Sequence, residues 1–234
     1  MKILAIDTTA KTVAAALCED EALLGEITVN AKNTHSETML PTIERLLNAF
    51  SLTPRDIGLF AVTRGPGSFT GVRIGAATVK GLAMRDAGET PVPIASVSTI
   101  EALAYNFLGM GSESEPFLVV PVMDARRAQV YTGIFEQKSD RPERILDDSA
   151  LSLEELKEKL LEVANGRRIY FVGDGYDITH AYFAENGEGL NVVKTPQNLI
   201  WPRGSSIALC GLDAYRRGDA IDEATLVPSY LRGI

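Results

Sequence analysis

Short apolar runs that end on aspartate open each half of the chain. Residues 2–7, KILAID, read as a buried strand closed by Asp7; the pattern turns through TTAK and resumes as TVAAALC and LLGEITV, which predicts a meander of strands. Residues 117–124, FLVVPVMD, repeat the move, ending on Asp124, turning through ARRA and resuming as QVYTGIFE. Helical periodicity alternates with single strands after each meander. The pattern therefore predicts an α/β chain of two similar halves, each a mixed sheet flanked by helices.

In the first half, SETMLPTIERLLNAF puts Met39, Leu40, Ile43, Leu46, Leu47 and Phe50 on one helical stripe, with the helix kinked or begun at Pro41. Thr53 followed by Pro54 signals a helix start, IGLFAVTR a central strand, and SFTGVRIGAATVKGLAMRDA a helix that closes before Gly88. PVPIASVS and TIEALAYNF add a strand and a helix. The second half offers SLEELKEKLLEVAN capped by Ser152, the strands RIYFVG and NVVKT, and a last helix, SSIALCGLDAYRRG, ending at Gly218. The polar, glycine-bearing segment 109–116, GMGSESEP, marks a linker, so the expected domains are 1–110 and 111–234. The last helix is free to pack back on the first.

Composition narrows the function. The chain has 234 residues, 45% of them hydrophobic, and a formal charge of −8, which repels a phosphate backbone and argues against unaided nucleic-acid binding. If RNA is involved, a partner supplies most of the contact. The longest apolar run, FLVVPVM, is far below the ~20 residues that span a bilayer. MKILAIDTTA turns polar too soon for a signal peptide, and Cys18 and Cys210 lack CxxC spacing, so a cytoplasmic protein without disulfides or structural zinc is expected.

Candidate chemistry centres on residues 59–83, LFAVTRGPGSFTGVRIGAATVKGLA, a strand, glycine-rich turn and helix in the order that nucleotide-binding proteins use to hold phosphate. A Walker loop needs GxxxxGK before Ser or Thr, and no lysine stands there. Gly65, Gly67 and Gly71 come nearer a dinucleotide fingerprint, but the next strand, VPIASVS, carries no acidic residue for ribose. The structural alternative is a tight turn whose glycines permit positive φ, with Ser68 or Thr70 capping the helix. Gly71, Gly75, Ala76 and Val79 then form a small-residue face, either core or interface.

Asp7 and Asp124 end matching strands, where two-domain kinases with this duplicated pattern handle Mg-ATP. Such sites place glycine just after the aspartate. DTTA and DARRA contain none, which favours aspartates that accept hydrogen bonds from their own turns. Arg126 and Arg127 either bind an anion or stand in a solvated turn. His35 and His180 sit in no HExxH or HxxxH pair, and residue 66 is proline, so Ser68 lies in no GxSxG elbow.

DTTAKTVAAAL, HSETMLPTIERLL, GPGSFTGVRIGAATVKGLA, MDARRAQVY and LVPSYLR, in that order over most of the chain, resemble the TsaB family, also called YeaZ. The resemblance implies the ribonuclease H-like fold of acetate and sugar kinases, Hsc70 and actin. It implies a bacterial subunit of the machinery that makes threonylcarbamoyladenosine beside the anticodon of tRNAs reading ANN codons. TsaD, the catalytic partner, carries HxxxH after the corresponding turn and helix, whereas PVPIASVSTIEAL here has no histidine. A non-catalytic scaffold without its own cofactor is thus expected, with ATP and metal held by partner subunits. The resemblance places the TsaD interface on helices matching 35–50 and 68–86, through His35, Met39, Ile43, Phe69, Thr70, Arg73, Ile74 and Ala77, with Gly65, Gly67, Gly71 and Gly75 setting the turn. Without TsaD the same surface would form a homodimer; TsaE joins through the complex, and tRNA is reached mainly through it. The competing expectation is an ATP-dependent enzyme that uses Asp7 and the glycine turn.

Overall fold

A computed structural model describes residues 1–30, 34–127, 129–138 and 140–231. Two compact units emerge, Met1–Ala102 with Pro202–Ser229, and Leu103–Trp201 with Tyr230 and Leu231. Each is built on one five-stranded sheet.

Unit 1 contains β1 (Lys2–Asp7), β2 (Val13–Glu19), β3 (Ala22–Val29), β4 (Leu59–Thr63) and β5 (Ile94–Val97), in the order β3-β2-β1-β4-β5. β1 pairs antiparallel with β2 and parallel with β4. Both faces of this sheet are covered, so β1 and β4 are apolar at almost every position rather than alternating. Leu4, Ile6, Phe60 and Val62 pack with α1 (His35–Ala49) and α2 (Phe69–Ala83). Helix α7 (Gly204–Arg217) packs against β1, β2, β4 and β5. Its close approach needs glycine: a Cβ on Gly204 would stand 2.6 Å from the Ala15 backbone, and one on Gly211 2.6 Å from Ala61 Cβ.

Unit 2 contains β6 (Phe117–Asp124), β7 (Gln129–Gln137), β8 (Glu143–Ser152), β9 (Arg168–Val172) and β10 (Asn191–Val192), in the order β10-β9-β6-β7-β8. Numbered within its own unit, that is the order of unit 1, again with an antiparallel first pair and a parallel central one. Its helices are α4 (Leu153–Val163), α5 (Tyr176–Asn186) and the short α6 (Gln197–Ile200), while α3 (Thr99–Ala104) contains the division between units.

The boundaries differ from those read in the sequence. The division falls at 102/103 rather than in the glycine-bearing segment, because the residues just before that segment belong to the core of unit 2. Phe107 stacks with Phe117 and Tyr170, and Asn106 Nδ2 donates to the carbonyls of Leu199 (2.8 Å) and Trp201 (2.9 Å). Residues 202–229, read as part of the second half with a last helix free to pack back on the first, lie in unit 1. Helix α1 starts at His35 and continues through Pro41, with the Glu37 carboxylate accepting from the Thr34 amide (3.1 Å). Helix α2 stops at Ala83, short of the expected close just before Gly88, and the Arg85 guanidinium takes up the Leu82, Ala83 and Met84 carbonyls. Ala128 and Arg232, in two of the segments that carry the resemblance, lie outside the described residues.

Candidate functional site

The glycine turn sits at the carboxyl ends of β1 and β4, and the chain itself packs against it. Ser68 N donates to Thr9 O (2.8 Å), and Thr8 Oγ1 donates to Gly71 O (2.7 Å). Added Cβ atoms would stand 2.5 Å from Thr9 O at Gly67, 1.9 Å from Thr8 O at Gly71 and 2.7 Å from Thr8 Oγ1 at Gly75. On Gly65 the Cβ would meet Ser229 O at 2.6 Å, where the C-terminal segment crosses and Ser229 N donates to Arg64 O (2.8 Å). Positive φ explains Gly65 (102°) and Gly67 (157°); close backbone approach explains Gly71 and Gly75. Ser68 Oγ accepts from Gly71 N (3.2 Å) and caps α2. The small-residue face of α2 is therefore core, and the β1–β2 turn fills it.

Asp7 lies beneath this turn, fully buried. Its Oδ1 accepts from Thr9 Oγ1 (2.6 Å) and Thr63 Oγ1 (2.5 Å), while Oδ2 has no donor among the described residues. Burial pushes the carboxyl above the ordinary aspartate range, against the Thr63 and Thr9 hydrogen bonds that lower it. The expected acceptor role toward its own turn is what Oδ1 performs. Asp124, its counterpart, is exposed and accepts from the Arg126 amide (2.8 Å).

The outer faces of α1 and α2 differ from this closed interior. Phe69 is 48% exposed, and Thr70, Arg73 and Ala77 are exposed beside it, with Ile74 and His35 half-buried. The Arg73 guanidinium lies 3.8 Å from the Phe69 ring centroid. His35 Nε2 is 2.9 Å from Ala10 O. Met39 (1% exposed) and Ile43 (2%) point into the core of unit 1, so Met39 is no surface anchor and Ile43 reaches only the floor of a groove. That groove, of about 300 Å3, is lined by Leu40, Glu44, Leu47, Leu52, Pro54 and Leu82 among others. Leu40 (56%) and Met84 (67%) stand exposed, and sequence reading missed both as surface residues. For Leu40 a signal existed: it lies at the edge of an apolar stripe wider than one sheet face needs.

Among the described residues no group of three or more His, Cys, Asp or Glu could hold a metal ion, and no helix is long and apolar enough to cross a membrane.

Two units of one strand order, each with helices against a mixed sheet, define the duplicated ribonuclease H-like fold of actin-like ATPases and sugar kinases. The same fold occurs in the activator of the 2-hydroxyisocaproyl-CoA dehydratase from Clostridium difficile, solved with bound ADPNP, at a TM-score of 0.52 and 10% identity over 93% of this chain and 97% of that one. Residues 23–233 match the family model TsaD, tRNA N6-adenosine threonylcarbamoyltransferase. The tRNA threonylcarbamoyladenosine biosynthesis protein TsaB of Bacillus subtilis is 34% identical over 99% of this chain and 94% of its own. A Pseudomonas aeruginosa crystal structure, of a protein similar to the peptidase YeaZ, superimposes at a TM-score of 0.76 with 25% identity and 99% coverage of both chains. The chain belongs to the TsaB (YeaZ) family, within the reach of the TsaD family model.

Proposed function

We propose that the chain serves tRNA threonylcarbamoyladenosine biosynthesis as a non-catalytic subunit that binds a TsaD-type transferase through the outer face of α1 and α2. The observation that carries this reading is the apolar exposure on these two helices, where Leu40 lines a groove of about 300 Å3 that reaches α2 at Leu82, and Phe69 and Met84 stand exposed at the two ends of α2. Large apolar side chains exposed on neighbouring helices beside a groove suit a partner site, and arginine and aromatic side chains are the anchors enriched at interface hot spots. Phe69, Thr70, Arg73 and Ala77 supply the α2 side, with Leu40 and the groove on α1 taking the place of Met39.

Docking biases the transferase toward its active arrangement and helps form a surface for TsaE. Two copies of this chain pair through the same face when the transferase is absent. Transfer chemistry, with its ATP and metal, is carried by the partners; in support, the only histidines here are His35 and His180, one in each half.

Reconstituted threonylcarbamoyl transfer with the transferase and TsaE of the same organism tests this. Activity should require the chain and fall about tenfold or more with Leu40→Asp plus Ala77→Arg, since a charge buried at an interface costs well over 1.4 kcal/mol. Full activity of the double variant would reject this face.

One observation favours a second reading, an ATP-dependent enzyme in its own right: Asp7 Oδ2 is left without a donor at the carboxyl end of β1. It predicts ATP binding by the isolated chain that Asp7→Asn abolishes. The packing of Gly67, Gly71 and Gly75 against Thr8 and Thr9 supports the first reading over it.

A further inference from the structure

The repeated architecture allows the same position to be compared in both units. In unit 1 the turn after the first strand, Thr8 and Thr9, is buried under the glycine turn. In unit 2 the equivalent turn, between β6 and β7, is exposed at Asp124, Arg126 and Arg127. It stands at the carboxyl end of a central parallel strand, the edge at which open α/β sheets bind ligands.

Both arginines have positive φ, 64° at Arg126 and 55° at Arg127. Side chains rarely adopt that region, and turns that need it twice in succession select Asn and Gly. Neighbouring groups hold the conformation. Asp124 Oδ1 accepts from Arg126 N (2.8 Å), Gln129 N donates to Arg126 O (3.1 Å), and Asp174 Oδ1 accepts from Asp124 N (2.9 Å). Asp124 and Asp174 thus each spend an oxygen on a backbone amide of this stretch.

Neither guanidinium has an ion-pair or hydrogen-bond partner among the described residues. Arg55, Arg167, Arg203 and Arg216, by contrast, are all held by carboxylates. Two adjacent guanidinium groups without a partner among the described residues, on a turn kept at a conformational cost in a chain of net charge −8, have the chemistry that pairs with phosphate.

We propose that Arg126 and Arg127 form a phosphodiester contact for the RNA on which the assembly acts. RNA is favoured over an acidic protein surface because the curated relative is a tRNA-modification protein and because planar guanidinium groups bind phosphate bidentately. This rests on the preceding functional reading. The contact supplies position rather than sequence choice, and the partner provides the rest of the RNA surface.

The test is fluorescence anisotropy of labelled tRNA against the full chain alone and against its mixture with the transferase, as a function of salt. Arg126→Asn with Arg127→Gly removes the charges and suits the turn; Arg126→Lys with Arg127→Lys keeps the charges. The first pair should leave the thermal midpoint equal or higher, and reduce the slope of log affinity against log salt by roughly 1.5 to 2. The lysine pair should retain most of the slope.

An unchanged slope in the Asn-Gly variant overturns the proposal, as does the absence of salt-dependent RNA binding by both chain and mixture. Loss of the protein complex with an unchanged RNA slope also overturns it and assigns the arginines to a protein surface. Complex mass, measured separately, shows whether the assembly reading itself has failed, and the titration of the isolated chain does not depend on it.

Discussion

Asp7 carries an electrostatic conflict in the core of unit 1. Buried, with one oxygen served by two threonine hydroxyls and the other without a donor, it is held above its ordinary pKa. A carboxyl raised by folding binds its proton more tightly in the folded chain. It therefore contributes stability that is full below the unfolded value, about 3.9, and is lost as pH rises through the folded value. Asp56, Glu155 and Asp222, lowered by hydrogen bonds from Thr53, Ser152 and Thr225, act in the opposite sense, losing stability as pH falls. The Asp7 contribution is thus read as a difference between proteins. Asp7→Asn, which keeps an acceptor for Thr9 and Thr63, should match wild type near pH 4 and exceed it increasingly toward neutral pH in denaturant titrations. Parallel stability curves for the two proteins would show that Asp7 does not titrate in this window. The strand-end position of Asp7 and its turn were legible in the sequence; its complete burial and its hydrogen bond from Thr63, 56 residues away, are announced by no local pattern.

Helix α2 shows at the element scale why a glycine pattern is ambiguous from sequence. Glycines spaced for phosphate and glycines spaced for close packing look alike, and only the neighbour distinguishes them; here it is Thr8 and Thr9. Gly71→Ala should destabilise the chain by about 2 kcal/mol, since its Cβ would stand 1.9 Å from a backbone oxygen, lowering the thermal midpoint by roughly 4 to 8 °C. Gly81→Ala, on the open face of the same helix with nothing within 4 Å, should be neutral or slightly stabilising. Equal midpoints for the two variants in a thermal melt would refute the packing account. The long helices were legible because their caps and stripes agree: Ser68, Ser152 and Gly218 mark the ends they occupy. Helix α5 and strand β8 were not legible. The former buries Tyr176, Thr179 and Phe183 yet exposes Ile178, which blurs its period, and the latter is a charged edge strand without clean alternation. Met39 was misread for a related reason. A stripe shows which residues share a face, not whether that face meets the chain's own sheet or a partner.

Across the whole molecule, two sheets of one order, reached in different stretches of sequence, make the internal repeat physical. The repeat was legible in KILAID and FLVVPVMD because β1 and β6 are the first strands of their units and are buried along almost their whole length. The domain limits were not, because the chain returns to unit 1 after unit 2 is complete, and α7 covers a face of the first sheet. A chain ending at residue 201 should therefore expose Ala15, Ala16, Ala61 and Ala95, lose cooperative unfolding of unit 1 and aggregate. A soluble truncation with an unchanged melting transition would contradict this.

The central claim is that the outer face of α1 and α2 is a partner surface while the glycine turn beneath it is core. Multi-angle light scattering of the chain mixed with its TsaD-type transferase tests it most directly, with wild type beside Leu40→Asp/Ala77→Arg. Both substituted side chains are exposed, so the variant should melt like wild type. The account predicts a one-to-one complex for wild type and two separate proteins for the variant. A wild-type mixture that stays unassociated, or a variant that assembles as fully as wild type, would contradict it.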